Sequence, residues 1–254
     1  INREHGIVTY GSCFGQYIGR YLKNFNYNWL VLEKPPENTD ESISRKYGYN
    51  LFSARTGNIY TASLLEQWIE WAFKIKKVPD EVWEKNGRYF DPFRPTVEPS
   101  GFESEEEVKL SRENTINYFY KSIIEADIFV FTMGLTECWE NSIYQCEYPL
   151  CPGTLVGKFD KGIHSFKLQK FDEIKKSLLN TLNVIMQKNR KIKIILTVSP
   201  VPLTATCSGQ HILVANTSSK SILRSVAGEL SSKDKNIEYF PSYELINSSL
   251  YKSE

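Results

Sequence analysis

Histidine is scarce in this chain of 254 residues, and any chemistry that needs an imidazole has only His5, His164 and His211 to draw on. Long apolar runs are missing as well. No stretch approaches the roughly 18 residues of a membrane-crossing helix, so no membrane span is expected. Neither sign of charge dominates: 31 Lys and Arg face 30 Asp and Glu, for a net +1. That balance gives no reason to expect nucleic acid or an anionic membrane as partner. The five cysteines, Cys13, Cys138, Cys146, Cys151 and Cys207, are odd in number and irregularly spaced. A complete disulfide framework is therefore excluded, and without a Cys-x-x-Cys pair no metal site is expected. The thiols read as small buried hydrophobes of a protein in the reducing cytoplasm. Cys13 is the exception, because its neighbours favour a lowered thiol pKa. No Gly-x-x-x-x-Gly-Lys-Ser/Thr loop occurs, and no Gly-x-Gly-x-x-Gly follows the first strand, so no nucleotide cofactor is expected. Linkers, repeats and low-complexity segments are likewise missing. With 41% hydrophobic and 24% charged residues, the composition suits one globular domain over residues 1–254.

What is present is a sharp turn near the start, Ile7-Val8-Thr9-Tyr10-Gly11-Ser12-Cys13-Phe14-Gly15-Gln16. The apolar run reads as a buried strand, and Gly15 opens an amphipathic helix. A strand that delivers Gly-Ser to a helix start sets the Ser12 hydroxyl at the carboxyl edge of a sheet, beside free backbone N–H groups. Such a hydroxyl is placed to act as a nucleophile. The plainer reading is a helix cap, the commonest use of Ser at this position. The two readings differ in where the hydroxyl bonds.

Short apolar segments alternate with helical ones along the rest of the chain. Strands are predicted at 6–10, 28–32, 128–132, 193–199 and 237–240, and helices at 15–25, 61–74, 104–125, 170–189 and 217–231. Leu64, Leu65, Trp68, Ile69 and Ala72 make one apolar stripe on the second helix, with Thr61 as its cap. This alternation predicts an α/β protein whose parallel sheet is covered on both faces, with the ligand edge at the carboxyl ends of the strands. Two long connections, 76–103 and 139–169, are rich in aromatics and proline. Loops of that length are commonly functional, and their aromatics predict packed, ordered loops roofing the site.

Several segments together resemble the GSCFA family: Gly11-Ser12-Cys13-Phe14, Arg55-Thr56-Gly57-Asn58-Ile59-Tyr60-Thr61, Asp91-Pro92-Phe93-Arg94-Pro95, Phe131 to Trp139, Ser199 to Leu203, Ser219-Lys220 to Leu223-Arg224, and Tyr239 to Glu244. The resemblance runs from about residue 7 to about residue 246. The family in turn resembles a branch of the SGNH hydrolases. That implies a three-layer, flavodoxin-like α/β/α sandwich of about five parallel strands in the order 2-1-3-4-5. It also implies Ser12 as nucleophile, with its own N–H and Gly57 as oxyanion donors. The usual Gly-x-Asn-Asp is here Gly134-Leu135-Thr136-Glu137, so the missing amide falls to the Thr136 hydroxyl or to Asn58. The Asp-x-x-His that carries the base in SGNH enzymes does not follow the last strand before Glu254. Either it lies in a segment beyond Glu254, or another group replaces it. His211 leaves the carboxyl end of the fourth strand and is the expected substitute. Lys220 and Arg224, four apart on one helix, and Arg94, between two prolines, are candidates for binding an anion or a sugar.

The resemblance implies a serine esterase acting on an O-acylated carbohydrate, without cofactor, on a small-molecule or glycan substrate. Two alternatives stand beside it: an O-acyltransferase of cytoplasmic polysaccharide assembly, and a catalytically inactive carbohydrate-binding or scaffolding domain.

Overall fold

The structure, a computed structural model, describes residues 1–248, so any segment beyond Glu254 lies outside it. The chain opens with strand β1 (Ile7–Gly11) and turns at once into helix α1 (Cys13–Asn24). Helices α2 (Glu41–Lys46) and α3 (Ala62–Ala72) follow, then a hairpin of β2 (Trp83–Lys85) and β3 (Arg88–Phe90). Helix α4 (Glu105–Glu125) leads into β4 (Ile128–Met133), and three short strands come next: β5 (Glu137–Asn141), β6 (Cys146–Tyr148) and β7 (His164–Leu168). The chain continues through α5 (Phe171–Lys188), β8 (Lys193–Val198), α6 (Ile212–Lys233), β9 (Ile237–Phe240) and α7 (Ser242–Asn247).

Strands β1, β4, β8 and β9 pair in parallel, in the order β1-β4-β8-β9. The pleat assigns their side chains to two faces. Val8, Tyr10, Phe129, Phe131, Ile194 and Leu196 share one face and form the main core with Trp68 of α3, Phe119 of α4, Leu178 of α5 and Leu223 of α6. Ile7, Ile128 and Val130 lie on the other face, beneath Ile18 and Leu22 of α1. Helices therefore flank both faces of the sheet. This arrangement explains why β4 is buried at every position.

Only four of the five predicted strands form. The segment at 28–32 contributes a single parallel bridge, Trp29 to Ile7, held by Ile7 N–H to Asn28 O and Leu30 N–H to Ile7 O, both 2.9 Å. It then turns away: Leu32 N–H goes to Ser53 O, and Glu33 enters a buried ionic cluster. The long connections are not structureless either. One holds the β2–β3 hairpin, and the other holds an antiparallel sheet in the order β6-β5-β7. Their aromatics face inward: Phe93 stacks on Tyr148, Trp83 packs beside Tyr148, and both Phe93 and Trp83 are buried. These rings are core, not an exposed platform for sugar faces.

The small sheet is pinned to the start of α3 by Glu147. Its carboxylate accepts from Thr61 and Ser63, and its backbone exchanges hydrogen bonds with the Gln67 amide, 2.7 and 3.0 Å. Burial pushes the Glu147 carboxyl up to about 7, against the pull of the Ser63 and Thr61 hydroxyls. The folded protein thus holds a proton that the unfolded chain releases near pH 4.5. That contribution is complete below pH 4.5 and is lost as pH rises to about 7. Denaturant titrations at pH 5 and pH 8 should therefore show wild type losing roughly 3 kcal/mol relative to Glu147→Gln, from about 1.4 kcal/mol per pKa unit. Equal pH dependence in both proteins would refute a protonated Glu147.

Candidate functional site

The site begins with the turn between β1 and α1. Gly11 has φ of +131°, and a Cβ added there would sit 2.3 Å from Thr132 O, so only glycine can occupy the position. The Ser12 N–H continues the β1–β4 ladder to Thr132 O at 2.9 Å. It is therefore spent within the sheet and does not serve as the expected oxyanion donor. Ser12 stands at the N-cap of α1, yet its hydroxyl accepts no capping bond. The residue is 2% exposed, and its Oγ has no hydrogen-bond partner. A buried hydroxyl left this way costs about 1–3 kcal/mol. The cap reading does not account for it.

Two further loops close on this turn. Ile59 N–H donates to Gly11 O at 2.9 Å, and Tyr60 O accepts from the N–H groups of Gly134 and Leu135 at 2.9 and 3.0 Å. A Cβ on Gly134 would lie 2.9 Å from Ser12 Cβ and 3.2 Å from the Tyr60 ring. Asn58 Nδ2 donates to the Tyr60 hydroxyl (2.9 Å), and Asn58 Oδ1 accepts from Gln16 of α1 (3.1 Å). Gly57 has φ of +66° and open space where a side chain would project. Ser12, Gly57, Asn58 and Gly134, far apart in sequence, thus share one edge of the sheet.

Lys220 reaches the same place from α6. It is 2% exposed, and its Nζ donates to Gly134 O at 2.8 Å. Burial pushes the amine down to about 8, with the nearby Cys13 thiol acting in the opposite direction. No carboxylate among the described residues pairs with Lys220. Its ammonium group lies inside the protein rather than at the surface, where an anionic ligand would reach it.

The other candidates lie elsewhere or are already engaged. His211 is exposed and caps α6, its Nδ1 accepting from Leu213 N–H at 3.3 Å; it makes no hydrogen bond to Ser12. Glu137 accepts from the Thr206 hydroxyl and from Cys207 N–H, which fixes the loop leading to His211. Thr136 is buried, and its carbonyl accepts from Gln169 N–H; with Glu137 and Ser219 it lines a cavity of about 290 Å³.

Both arginines are engaged within the protein. Arg94 is buried, with its guanidinium shared among Asp91, Ser111 and Thr115. Arg224 bonds Glu244 at 2.6 Å and stacks on Tyr239, joining α6 to the C-terminal motif. Arg94 pairs with Asp91 within its own motif, while Ser111, Thr115 and Glu244 come from further along the chain.

The roles of Gln16 and Tyr60 were not visible in the sequence: Gln16, on the first turn of α1, reaches Asn58 of a distant loop, and Tyr60 O receives the loop after β4. Among the described residues, no helix is long and apolar enough to cross a membrane, and no group of three His, Cys, Asp or Glu side chains could hold a metal ion. A search of the curated proteins and a search of the solved structures each found no match. The GSCFA family model matches residues 6–254, the stretch that holds the turn and every loop closing on it, and the chain belongs to the GSCFA family.

Proposed function

We propose that this protein is a serine esterase that opens O-acyl esters through an acyl-Ser12 intermediate, with an O-acylated carbohydrate as substrate. One observation carries the reading. The Ser12 hydroxyl occupies a helix N-cap, is buried, and is spent neither on the cap nor on any other partner. Ser12 Oγ does not cap the helix, and while Gly15 N–H goes to Ser12 O at 2.8 Å, the N–H groups of Cys13 and Phe14 remain open to a developing oxyanion. Gly57 and Asn58 stand on the adjoining loop, and their backbone N–H groups donate to no acceptor among the described residues. The carbohydrate assignment rests on the SGNH resemblance. Hydrolysis and transfer to a sugar hydroxyl share the acyl-enzyme and differ only in the acceptor that resolves it.

The test is to quench the protein rapidly during turnover of an aryl acetate and map the acetyl group. An adduct on Ser12 that resists neutral hydroxylamine is expected. An adduct on Cys13, which would be cleaved as a thioester, or none at all, would overturn the assignment.

A further inference from the structure

A buried ammonium group with no carboxylate partner needs an explanation, because a charge taken out of water is costly unless it is paired. Lys220 is such a group. The loop after β4 offers the Gly134 carbonyl, which takes one of the three N–H donors. Helix α1 offers the Cys13 thiol, the one titratable group that acts electrostatically on the amine. On α6 itself, Arg224 sits one turn on and is turned away into its pair with Glu244. Tyr60 faces Cys13 in turn.

The geometry points to Lys220 as the proton acceptor of the Ser12 hydroxyl. This inference rests on the Ser12 reading above. Gly134 carries the argument. Its α-carbon lies against Ser12 Cβ, close enough that a methyl group there would clash at 2.9 Å, and its carbonyl holds the Lys220 amine at 2.8 Å. Cys13, the residue after Ser12, is felt by the same amine from the other side. The Ser12 Oγ makes no direct bond at rest, so the proton crosses through one bridging water or after the contact tightens around substrate. His211, whose Nδ1 caps its own helix, has no comparable link to Ser12.

The chemistry balances without a further co-reactant. The neutral amine takes the hydroxyl proton while Ser12 Oγ bonds to the ester carbon, and the carbonyl electron pair moves onto oxygen. Collapse of that oxyanion breaks the bond to the alcohol, which leaves with the proton from the ammonium. Water, or an acceptor hydroxyl, then gives its proton to the amine as it attacks the acyl carbon. Its attack releases Ser12 Oγ, which recovers a proton. A lysine held near pH 8 is neutral often enough for this role at physiological pH.

The pH profile of aryl acetate turnover separates the possibilities. Wild type should gain kcat/KM as pH rises, with a midpoint near 8 and not near the ~6.5 of free histidine. His211→Ala should keep that limb, and Lys220→Gln should lose it together with about 10²–10⁴ in kcat. Lys220→Arg retains the charge and a donor to Gly134 O but cannot give up its proton. It should be folded and equally slow. A midpoint near 6.5 that vanishes in His211→Ala would overturn the assignment. So would a Lys220→Gln enzyme with an unchanged profile, which would reduce Lys220 to a strut for Gly134. Should Lys220→Gln fail to fold, the wild-type and His211→Ala profiles decide alone. Acetyl trapping on Ser12 distinguishes the two levels: trapping in wild type with an unaltered Lys220→Gln profile sinks only the lysine. No trapping on Ser12 sinks the reading beneath it.

Discussion

Ser12→Ala is expected to abolish ester turnover, with a loss on the order of 10⁶ in kcat, the effect of removing the nucleophile of a well-studied serine hydrolase. It is expected at the same time to leave the fold as stable as wild type or slightly more stable. These two outcomes belong together. If Ser12 were a working helix cap, alanine would cost about 1 kcal/mol of stability. Here the hydroxyl bonds to neither the first turn of α1 nor anything else, so removing it deletes an unsatisfied buried polar atom. The backbone of the turn is set by Gly11 and by the Ser12 N–H to Thr132 O bond, and alanine disturbs neither. Turnover by purified wild type and variant, with denaturant unfolding of both, checks the claim. An active variant that has lost stability would restore the cap and remove the nucleophile.

Sequence reading caught the strands of the central sheet and the helices that alternate with them. β4 is buried along its whole length and α3 carries a clear stripe, so both were predicted close to their observed bounds. Strand 28–32 has the right composition but a charged and proline-rich continuation. Glu33 is drawn into an ionic cluster and Pro35 and Pro36 follow, so pairing stops after one bridge. The β6-β5-β7 sheet was invisible because its strands carry no continuous apolar run: Glu147, in the middle of β6, is a buried carboxyl rather than a hydrophobe. In the site, Ser12 and Gly134 were legible because each follows a strand of known direction, whereas Gly57 was placed by the family resemblance alone. The uses of Lys220, Arg94, Arg224 and Glu137 were not legible. A long charged side chain declares its class in the sequence, but its partners are chosen by packing: Lys220 reaches the loop after β4, Arg224 reaches α7, and Arg94 adds Ser111 and Thr115 of α4 to its near neighbour Asp91.

Asp91→Ala is expected to cost about 3–5 kcal/mol of folding stability, the penalty for removing one member of a buried ion pair and stranding the other. Asp91 is fully buried and holds two guanidinium groups, Arg94 Nε at 2.7 Å and Arg112 Nε at 3.1 Å, while accepting from Phe93 N–H at 3.0 Å. Burial raises the cost of its charge, but Arg112 and Arg94 outweigh burial and hold the carboxyl below its ordinary range. Its stabilisation is therefore present above the ~3.9 of an unfolded aspartate and is lost as pH falls through the lower folded value. The damage should also travel. Arg94 bonds Thr115, Thr115 bonds Glu33 at 2.9 Å, and Glu33 accepts from the N–H of Arg55 at 2.8 Å. Arg55 lies two residues before Gly57, so the Asp-Pro-Phe-Arg-Pro motif anchors the loop beside Ser12. Two measurements follow. Urea unfolding of Asp91→Ala should show the loss in stability, and kcat should fall at temperatures where the variant remains folded. A loss below about 1 kcal/mol would mean that the two arginines find other partners and that the cluster does not anchor the loop.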